Sequence, residues 1–325
     1  MTDQVQAPMV FSRDDIVLRT VREADRAQIE AIAAQVWEGR DYLPLVFDDW
    51  LADEDGGFIV LTVQERVVGV GKLTYFGDGE WWMEGLRIDP AYRNKGLARI
   101  LHHYLVSQAR QGEGVLRFAT GQKNEPVLKL ADETGFQLVG RYVHYQADAE
   151  PVDNPGWWQL DTEDFPRLRQ WLDNSDYLAD ADNSFERWWI WRFASDDFVK
   201  ELLAAGLIYG WHSNGQQDEL QGVFVVNPER QYMAPPPDSF IELAFVDAEP
   251  EQRVKLWRTL SGFAHAEGVD YVRFKLLDDA CYIGPAEAGG WYNRREGSFG
   301  VLFSRPLTLT QDVDVRFDEL PAIDQ

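Results

Sequence analysis

The chain has 325 residues, enough for two domains and too many for one typical small one. Hydrophobic residues make up 45% and charged residues 26%, a balance that excludes a disordered chain and fits a globular one. A net charge of −24 repels phosphate backbones, so no nucleic-acid partner is expected, whereas cationic molecules are attracted.

Residues 1–14 are polar and aperiodic and read as a flexible tail. Residues 16–22 alternate as a strand. Asp25 is placed to cap a helix in which Ile29, Ile32, Ala33, Val36 and Trp37 recur at helical spacing. The pattern breaks over residues 40–44, and a short helix follows at 47–51. Gly56-Gly57 turns the chain into a strand at 58–63, with a hairpin partner at 66–75. Gly77-Asp78-Gly79 turns it again into a longer strand at 81–88. A strong helix covers 96–111 and ends at Gly112. A strand at 115–120, a helix at 126–133 stopped by Gly135, and a strand at 136–145 complete this half. The order β-α-α-β-β-β-α-β-α-β predicts an α/β fold on a mixed sheet. Hairpins force neighbours antiparallel, and the strand-helix-strand crossover forces a parallel pair.

Residues 149–155 read as a linker. Beyond it the pattern gives helical stretches at 164–172 and 184–193, a helix at 196–205, and strands at 207–213 and 220–228. A Pro-rich loop at 234–237, a strand at 240–246, a helix at 250–267, a strand at 271–276 and final strand signals over 291–304 follow. This weakly repeats the first half, so the expected organisation is an internal duplication, with domains at 15–148 and 156–325. Most of the 13 Trp lie after residue 150, which predicts a large aromatic core there.

Cys281 stands alone, so neither an intramolecular disulfide nor a Cys-based zinc site is possible; the five His show no ligand spacing, and no metal is expected. No apolar run approaches the ~20 residues that span a bilayer. Residues 1–11 do not read as a signal peptide, so a cytoplasmic protein with no membrane partner is expected.

The chemistry concentrates in Leu86-Arg87-Ile88-Asp89-Pro90-Ala91-Tyr92-Arg93-Asn94-Lys95-Gly96-Leu97-Ala98-Arg99. A strand ends at a proline, a turn follows, and a helix opens at a glycine. The first N–H groups of a helix lack partners within it, and the helix dipole favours an anion at that end. Gly96 and the small Ala98 permit close approach of a phosphate oxygen, and Arg93, Lys95 and Arg99 add positive charge locally.

This stretch resembles motif A of the GNAT acetyltransferase superfamily. Asn124-Glu125-Pro126-Val127-Leu128-Lys129-Leu130-Ala131-Asp132-Glu133-Thr134-Gly135-Phe136 resembles the family's second block, and the likeness spans residues 16–146. It implies a GNAT fold, in two tandem copies, with acetyl-CoA as co-substrate. Pantetheine would lie along Leu86, Arg87 and Ile88, and the pyrophosphate on the amides of Asn94, Lys95, Gly96, Leu97, Ala98 and Arg99. Arg93 would stand close by, and Asn124 would contact the pantetheine arm. The Leu86 N–H would stabilise the oxyanion. Glu84, two residues earlier on the same face of the strand, is the candidate general base. The family's usual acid, a Tyr, is replaced by Ala131, which leaves Tyr142, Tyr145 or water to protonate the thiolate.

The segment Gly39-Arg40-Asp41-Tyr42-Leu43-Pro44 with Trp50-Leu51, and the strand Glu84-Gly85-Leu86-Arg87, are similar to histidine N-acetyltransferase-like proteins. That likeness implies a small-molecule, amino-acid-like amine as acceptor, with Asp41, Tyr42 and Glu84 on the substrate side. A protein or peptide acceptor is an alternative, and a catalytically silent CoA-binding module is another. The chain is expected to act as a monomer or homodimer. In the second half, Asp247-Ala248-Glu249-Pro250-Glu251-Gln252 occupies the place of the phosphate turn but has no glycine and carries carboxylates. That half is expected to be a degenerate copy without CoA.

Overall fold

The computed structural model describes residues 11–109, 114–228, 239–294 and 299–307. The expected tail over 1–10, the helix-ending Gly112, the 234–237 loop and part of the 291–304 strand lie outside these residues. Two compact units divide the chain: Met1–Leu116 with Glu133–Gly135 and Arg305–Gln325, and Arg117–Asp132 with Phe136–Ser304.

In the first unit four antiparallel strands run in sequence order: β1 (Ile16–Thr20), β2 (Gly57–Val63), β3 (Arg66–Tyr75) and β4 (Glu80–Ile88). The β2–β3 turn uses Gln64 and Glu65, both at positive φ, the twist that a two-residue hairpin demands. Val60, Leu61, Val68 and Val70 are fully buried, because strands covered on both faces read as continuous apolar runs. Three helices serve this sheet: α1 (Arg26–Ala33), α2 (Leu43–Ala52) and α3 (Leu97–Ala109). Helix α3 packs on β3, where a Cβ at Gly71 would stand 2.8 Å from Leu105 Cδ1.

Two expectations are corrected here. Helix α2 begins at Leu43 rather than at 47. Pro44 does not break it, because proline in the first turn gives up an N–H that has no helical acceptor anyway. Asp25 precedes α1, but its carboxylate does not cap that helix. It accepts the Arg22 N–H at 2.8 Å and a bidentate pair from Arg19 at 2.7 and 2.8 Å.

Strand β4 carries an irregularity that positions the site. Lys72 on β3 faces Glu84, and Val70 faces Arg87, so three steps along β4 answer two along β3. The extra residue falls at Gly85-Leu86, where Gly85 has φ +67. Such a bulge leaves backbone groups out of the ladder and re-aims the side chains beside it. It also interrupts the simple alternation expected to set Glu84 and Leu86 on one face.

The second unit contains β5 (Gly114–Gly121) from Arg117 on and α4 (Glu125–Glu133) up to Asp132. It continues with β6 (Gln137–Asp148), β7 (Trp157–Gln159), α5 (Phe165–Leu172), α6 (Asp176–Asp180), β8 (Ser184–Arg187) and β9 (Ile190–Phe193). Then come α7 (Asp196–Ala204), β10 (Ile208–Trp211), β11 (Gly222–Val226), β12 (Phe240–Ala248), α8 (Arg253–Ala266), β13 (Tyr271–Leu277), α9 (Ala280–Ala288), β14 (Tyr292–Asn293) and β15 (Gly300–Leu307) up to Ser304. Strands β7, β10, β11 and β12 are successive antiparallel neighbours, as β1 to β4 are, and β12 pairs parallel with β13. The succession of β1 to β4 and α3 is thus repeated by β7, β10, β11, β12 and α8. Strand β6 pairs antiparallel with β13, β14 and β15.

The helix expected at 184–193 is instead the hairpin β8–β9. Its residues are aromatic and β-branched, which suits a strand, and Trp188-Trp189 form the turn with φ of 53° and 76°. Glu186 is anchored to Lys275 at 2.8 Å, a tertiary contact that local periodicity does not reveal. Elements β7, α6 and α9 were not expected. The first two are very short, and α9 contains Pro285. Among the described residues no helix is long and apolar enough to cross a membrane.

Gly85→Ala should destabilise the first unit by about 2 kcal/mol or more, from the left-handed φ and the displaced packing. A Cβ there would stand 2.6 Å from Cη2 of the buried Trp50. Urea unfolding followed by Trp fluorescence reads this directly, and an unchanged midpoint would show that the bulge tolerates a side chain.

Candidate active site

The site is built in the first unit around β4 and the opening of α3. Strand β4 ends at Ile88, and Asp89 then caps a turn of 3₁₀ helix at Pro90–Tyr92 by accepting the Ala91 N–H at 2.9 Å. Asp89 is buried and its other oxygen takes Arg66 at 3.1 Å. Asn94 and Gly96 both adopt left-handed backbone, with φ of +61° and +75°. Asn tolerates this conformation and Gly adopts it freely. The Gly96 carbonyl accepts the Ile100 N–H at 3.2 Å, so it is the first helical acceptor. The N–H groups of Leu97, Ala98 and Arg99 precede any such acceptor and point out of the open helix end. A Cβ at Gly96 would meet no protein atom within 4 Å, so within the chain itself it is φ that calls for glycine.

The cations expected there are partly engaged. Arg99 pairs with Glu133 at 2.9 Å. Lys95 Nζ sits 5.7 Å from the Phe11 ring, and Arg93 Nε donates to the Ile88 carbonyl at 3.4 Å.

Glu84 stands one residue before the bulge and is half-buried. Burial raises its carboxyl to about 7, against the opposing pull of Lys72, a hydrogen bond from Tyr42, the charge of Arg87 and a hydrogen bond from Thr74. The Tyr42 phenol is pushed well above its ordinary value by burial and by the Glu84 charge, so it stays a protonated donor.

Asp41 is nearly inaccessible. Its oxygens take Arg87 Nε at 2.8 Å and Nη2 at 3.2 Å, and Oδ1 also accepts the Leu43 N–H at 3.3 Å. The Arg87 side chain is therefore directed at the segment before α2, and only its backbone remains for a ligand along β4. Its guanidinium also lies 4.7 Å from the ring of Trp37 and 5.6 Å from that of Tyr42. Trp37 is 58% exposed and opens three consecutive left-handed residues, Trp37, Glu38 and Gly39. Sequence reasoning missed this grouping and the roles of Lys72 and Asp53. The strand register that sets Lys72 opposite Glu84 could have suggested the first of the pair.

Asn124 and Tyr142 belong to the second unit. Asn124 is exposed; its side chain donates to Thr120 Oγ1 at 2.9 Å and its carbonyl accepts the Leu128 N–H at 3.0 Å. Tyr142 is buried on β6 with its ring 4.9 Å from that of Trp191, and burial pushes its phenol up. Tyr145 donates to Glu287 at 2.8 Å, and burial followed by that carboxylate raises its phenol to about 12. Ala131 is fully buried.

The second unit repeats the strand-to-helix device without the glycine. Strand β12 runs into Glu249-Pro250, a 3₁₀ turn at Pro250–Gln252, and then directly into α8. A cavity of about 460 Å³ opens there, lined in part by Arg167, Trp171, Asp176, Asp247, Glu249 and Arg253. Asp247 is bound by Ser175 at 2.7 Å and by Arg253 at 3.0 Å. Its carboxylates disfavour a phosphate.

The model of the "Acetyltransferase (GNAT) family" matches residues 22–136. A histidine N-acetyltransferase of Oreochromis niloticus is 31% identical over 97 residues, which cover 30% of this chain and 29% of that protein. The match thus spans under a third of that relative's length. An N-alpha-acetyltransferase of Mycobacterium tuberculosis is 26% identical over 136 residues, 41% of this chain and 85% of that one. The solved structure of a tandem GNAT protein from the clavulanic acid biosynthesis pathway superposes with a TM-score of 0.53 at 14% identity. It covers 91% of this chain and 99% of its own, a likeness in fold. The glycine turn at the head of α3 and the bulged strand before it both lie within residues 22–136, the stretch that matches the GNAT acetyltransferase family.

Proposed function

We propose that the chain is an N-acetyltransferase that carries an acetyl group from acetyl-CoA to the primary amine of a small, amino-acid-like molecule. The observation that carries the reading is Glu84, a carboxyl raised to about 7 beside a bulge that frees backbone groups on β4. Acetyl-CoA supplies a thioester already activated towards an amine. The residues fit its anionic end: the outward N–H groups of Leu97, Ala98 and Arg99, the left-handed Asn94 and Gly96, and Arg93 and Lys95. Backbone of Leu86, Arg87 and Ile88 would hold the pantetheine, and an N–H at the bulge, Leu86 being the candidate, would donate to the oxyanion.

An acceptor amine reaches the site as an ammonium and must lose a proton before it can attack. Glu84 is a carboxylate above about pH 7 and can take that proton directly or through a water. Tyr42 lies beside it and favours its ionised form. Asp41 acts on the acceptor side through Arg87, by fixing the loop that carries Tyr42. No side chain is assigned as acid, since Ala131 stands where the family pattern has Tyr. The second unit, with carboxylates at its strand-to-helix turn, is proposed to bind no CoA.

The likeness to a histidine N-acetyltransferase supports an α-amine of a free amino acid. The likeness to an N-alpha-acetyltransferase favours a second reading, a peptide N-terminus.

Thiol release from acetyl-CoA, measured against amino acids, polyamines and peptides, should single out one amine class. Glu84→Gln should lower kcat/KM by about two orders of magnitude or more. The wild-type rate should fall tenfold per unit below about pH 7, because the carboxylate is the working form. Activity of E84Q equal to wild type would remove the base. Gly96→Glu, which sets a carboxylate at the open helix end, should abolish acetyl-CoA binding in calorimetry, and retained affinity would displace the phosphate site. Asp41→Asn should act on stability first. Breaking a buried pair leaves Arg87 uncompensated, at a cost of about 3 kcal/mol in urea unfolding. A raised acceptor KM at unchanged stability would instead make Asp41 a direct substrate contact.

A further inference from the structure

Lys72 is the least expected side chain near the site. It lies in the middle of β3 with a relative accessibility of 1%, and lysine is almost never buried unless paired. Its Nζ pairs with Asp53, just beyond the end of α2, and donates to the Leu73 carbonyl at 2.7 Å. Asp53 is itself fixed, because its Oδ1 accepts the N–H groups of Asp55 and Gly56 at 3.1 Å each. Gly56 leaves the room this requires: a Cβ there would collide with Leu73 O, Asp53 Oδ2 and Lys72 Nζ. Four features of the chain thus converge on holding one ammonium inside the sheet.

The strand register gives that ammonium a reason. Lys72 is the Cα partner of Glu84 across the β3–β4 ladder, at the last paired position before the bulge. Directly opposed residues on an antiparallel pair place their Cβ atoms about 5 Å apart on one face. A lysine needed only for stability would serve at any buried position with a carboxylate. Here it stands opposite the carboxyl that the bulge isolates.

We propose that the Lys72–Asp53 pair is a positioning element for Glu84, holding a buried ammonium at the position directly opposite it on β3 so that the carboxylate form is favoured. This rests on the reading of Glu84 as the base. The other groups that face Glu84 are Thr74 on β3, Arg87 on β4, and Tyr42 in the segment before α2. Arg87 is committed to Asp41, which partly cancels its charge. Asp53 partly cancels Lys72 in the same way, and the balance of the two pairs sets the carboxyl. Burial alone would carry Glu84 higher than about 7, and Lys72 is the largest of the opposing influences.

The test is the pH dependence of kcat/KM in wild type, Lys72→Met, Lys72→Arg and Glu84→Gln, all with one acceptor so that its own ionisation is common to every curve. K72M should move the acid limb upward by about one pH unit or more, the usual size of an opposite charge at this range. For a one-unit shift that is about a fivefold loss at pH 7, approaching tenfold at lower pH and recovered as pH rises. K72R keeps the charge and should return the limb towards the wild-type position. If K72M does not fold, Lys72→Gln keeps a donor for Asp53 and tests the same loss of charge. An acid limb that stays in place in a folded K72M or K72Q, with activity lowered equally at every pH, overturns the proposal and leaves Lys72 as packing. E84Q with wild-type activity defeats the reading of Glu84 as base, an outcome distinct from a fixed limb in K72M alongside an inactive E84Q.

Discussion

One extra residue in β4 governs the arrangement of the first unit. Because Gly85 and Leu86 together stand opposite the single Gly71 of β3, the ladder breaks between Glu84 and Arg87, and backbone that would otherwise be paired is left available. The bulge needs a left-handed residue, and glycine supplies it beneath Trp50. On one side of the break Glu84 faces Lys72. On the other, Arg87 reaches the segment before α2 and binds Asp41, which organises Tyr42 and the start of α2. The two ion pairs flank the carboxyl, and both depend on where the register slips.

The second unit shows what the same backbone does with other residues. Strand β12 also slips against β11, with Val225 facing Phe245 and Val226 facing Leu243. Leu243 flanks that slip as Glu84 flanks its own, and Glu242 stands one residue earlier. Asp89 and Glu249 adopt nearly equal backbone angles, φ −49° and ψ 123° against φ −47° and ψ 138°. The chemistry then diverges. Burial would raise Glu242, but Lys275 and Arg273 bind it directly and hold it well below the usual carboxylate range. Glu186 shares Lys275, so the cluster is a closed network of charges. After the 3₁₀ turn, α8 starts at once, without the left-handed Asn and Gly that open the head of α3. A bulge and a turn therefore do not make a site. One carboxyl left short of partners and one helix opened by glycine distinguish the first unit.

Much of this was legible in the sequence where local rules decide. The short apolar runs at 58–63 and 66–75, the glycine turns, and the proline-to-glycine passage into α3 follow from local pattern and turn chemistry alone. The repeated succession of strands and helix was legible from element order. Where tertiary contacts decide, the sequence misled. Ser184 to Phe193 can be read with helical spacing, yet Glu186 bonded to Lys275 and a two-tryptophan turn make it a hairpin. Asp41 is expected on the substrate side from the likeness of its segment to histidine N-acetyltransferase-like proteins, and the structure adds that both its oxygens are bound by Arg87. Nothing in the local pattern of the strand marks Lys72 as buried. Its burial depends on Asp53, which lies 19 residues away in the chain.

The charge of the molecule poses a last question: how a chain with net charge −24 can favour an anion at all. The side chains give only part of the answer, since Arg99 is answered by Glu133 and Arg93 leans on a backbone carbonyl. The larger part is backbone. Amides at the head of α3 and the dipole behind them cannot titrate, cannot be neutralised by a distant carboxylate through water, and act within a few ångströms. Exposed charges, by contrast, are screened over about 8–10 Å at ordinary ionic strength. The two fields therefore operate at different ranges. On the proposed function, the acidic surface would draw an ammonium acceptor from solution, and the fixed amides would bind a phosphate once it is at the turn. An N-acetyltransferase must bring a cation and an anion to neighbouring points, and this division lets an acidic protein attract one without excluding the other.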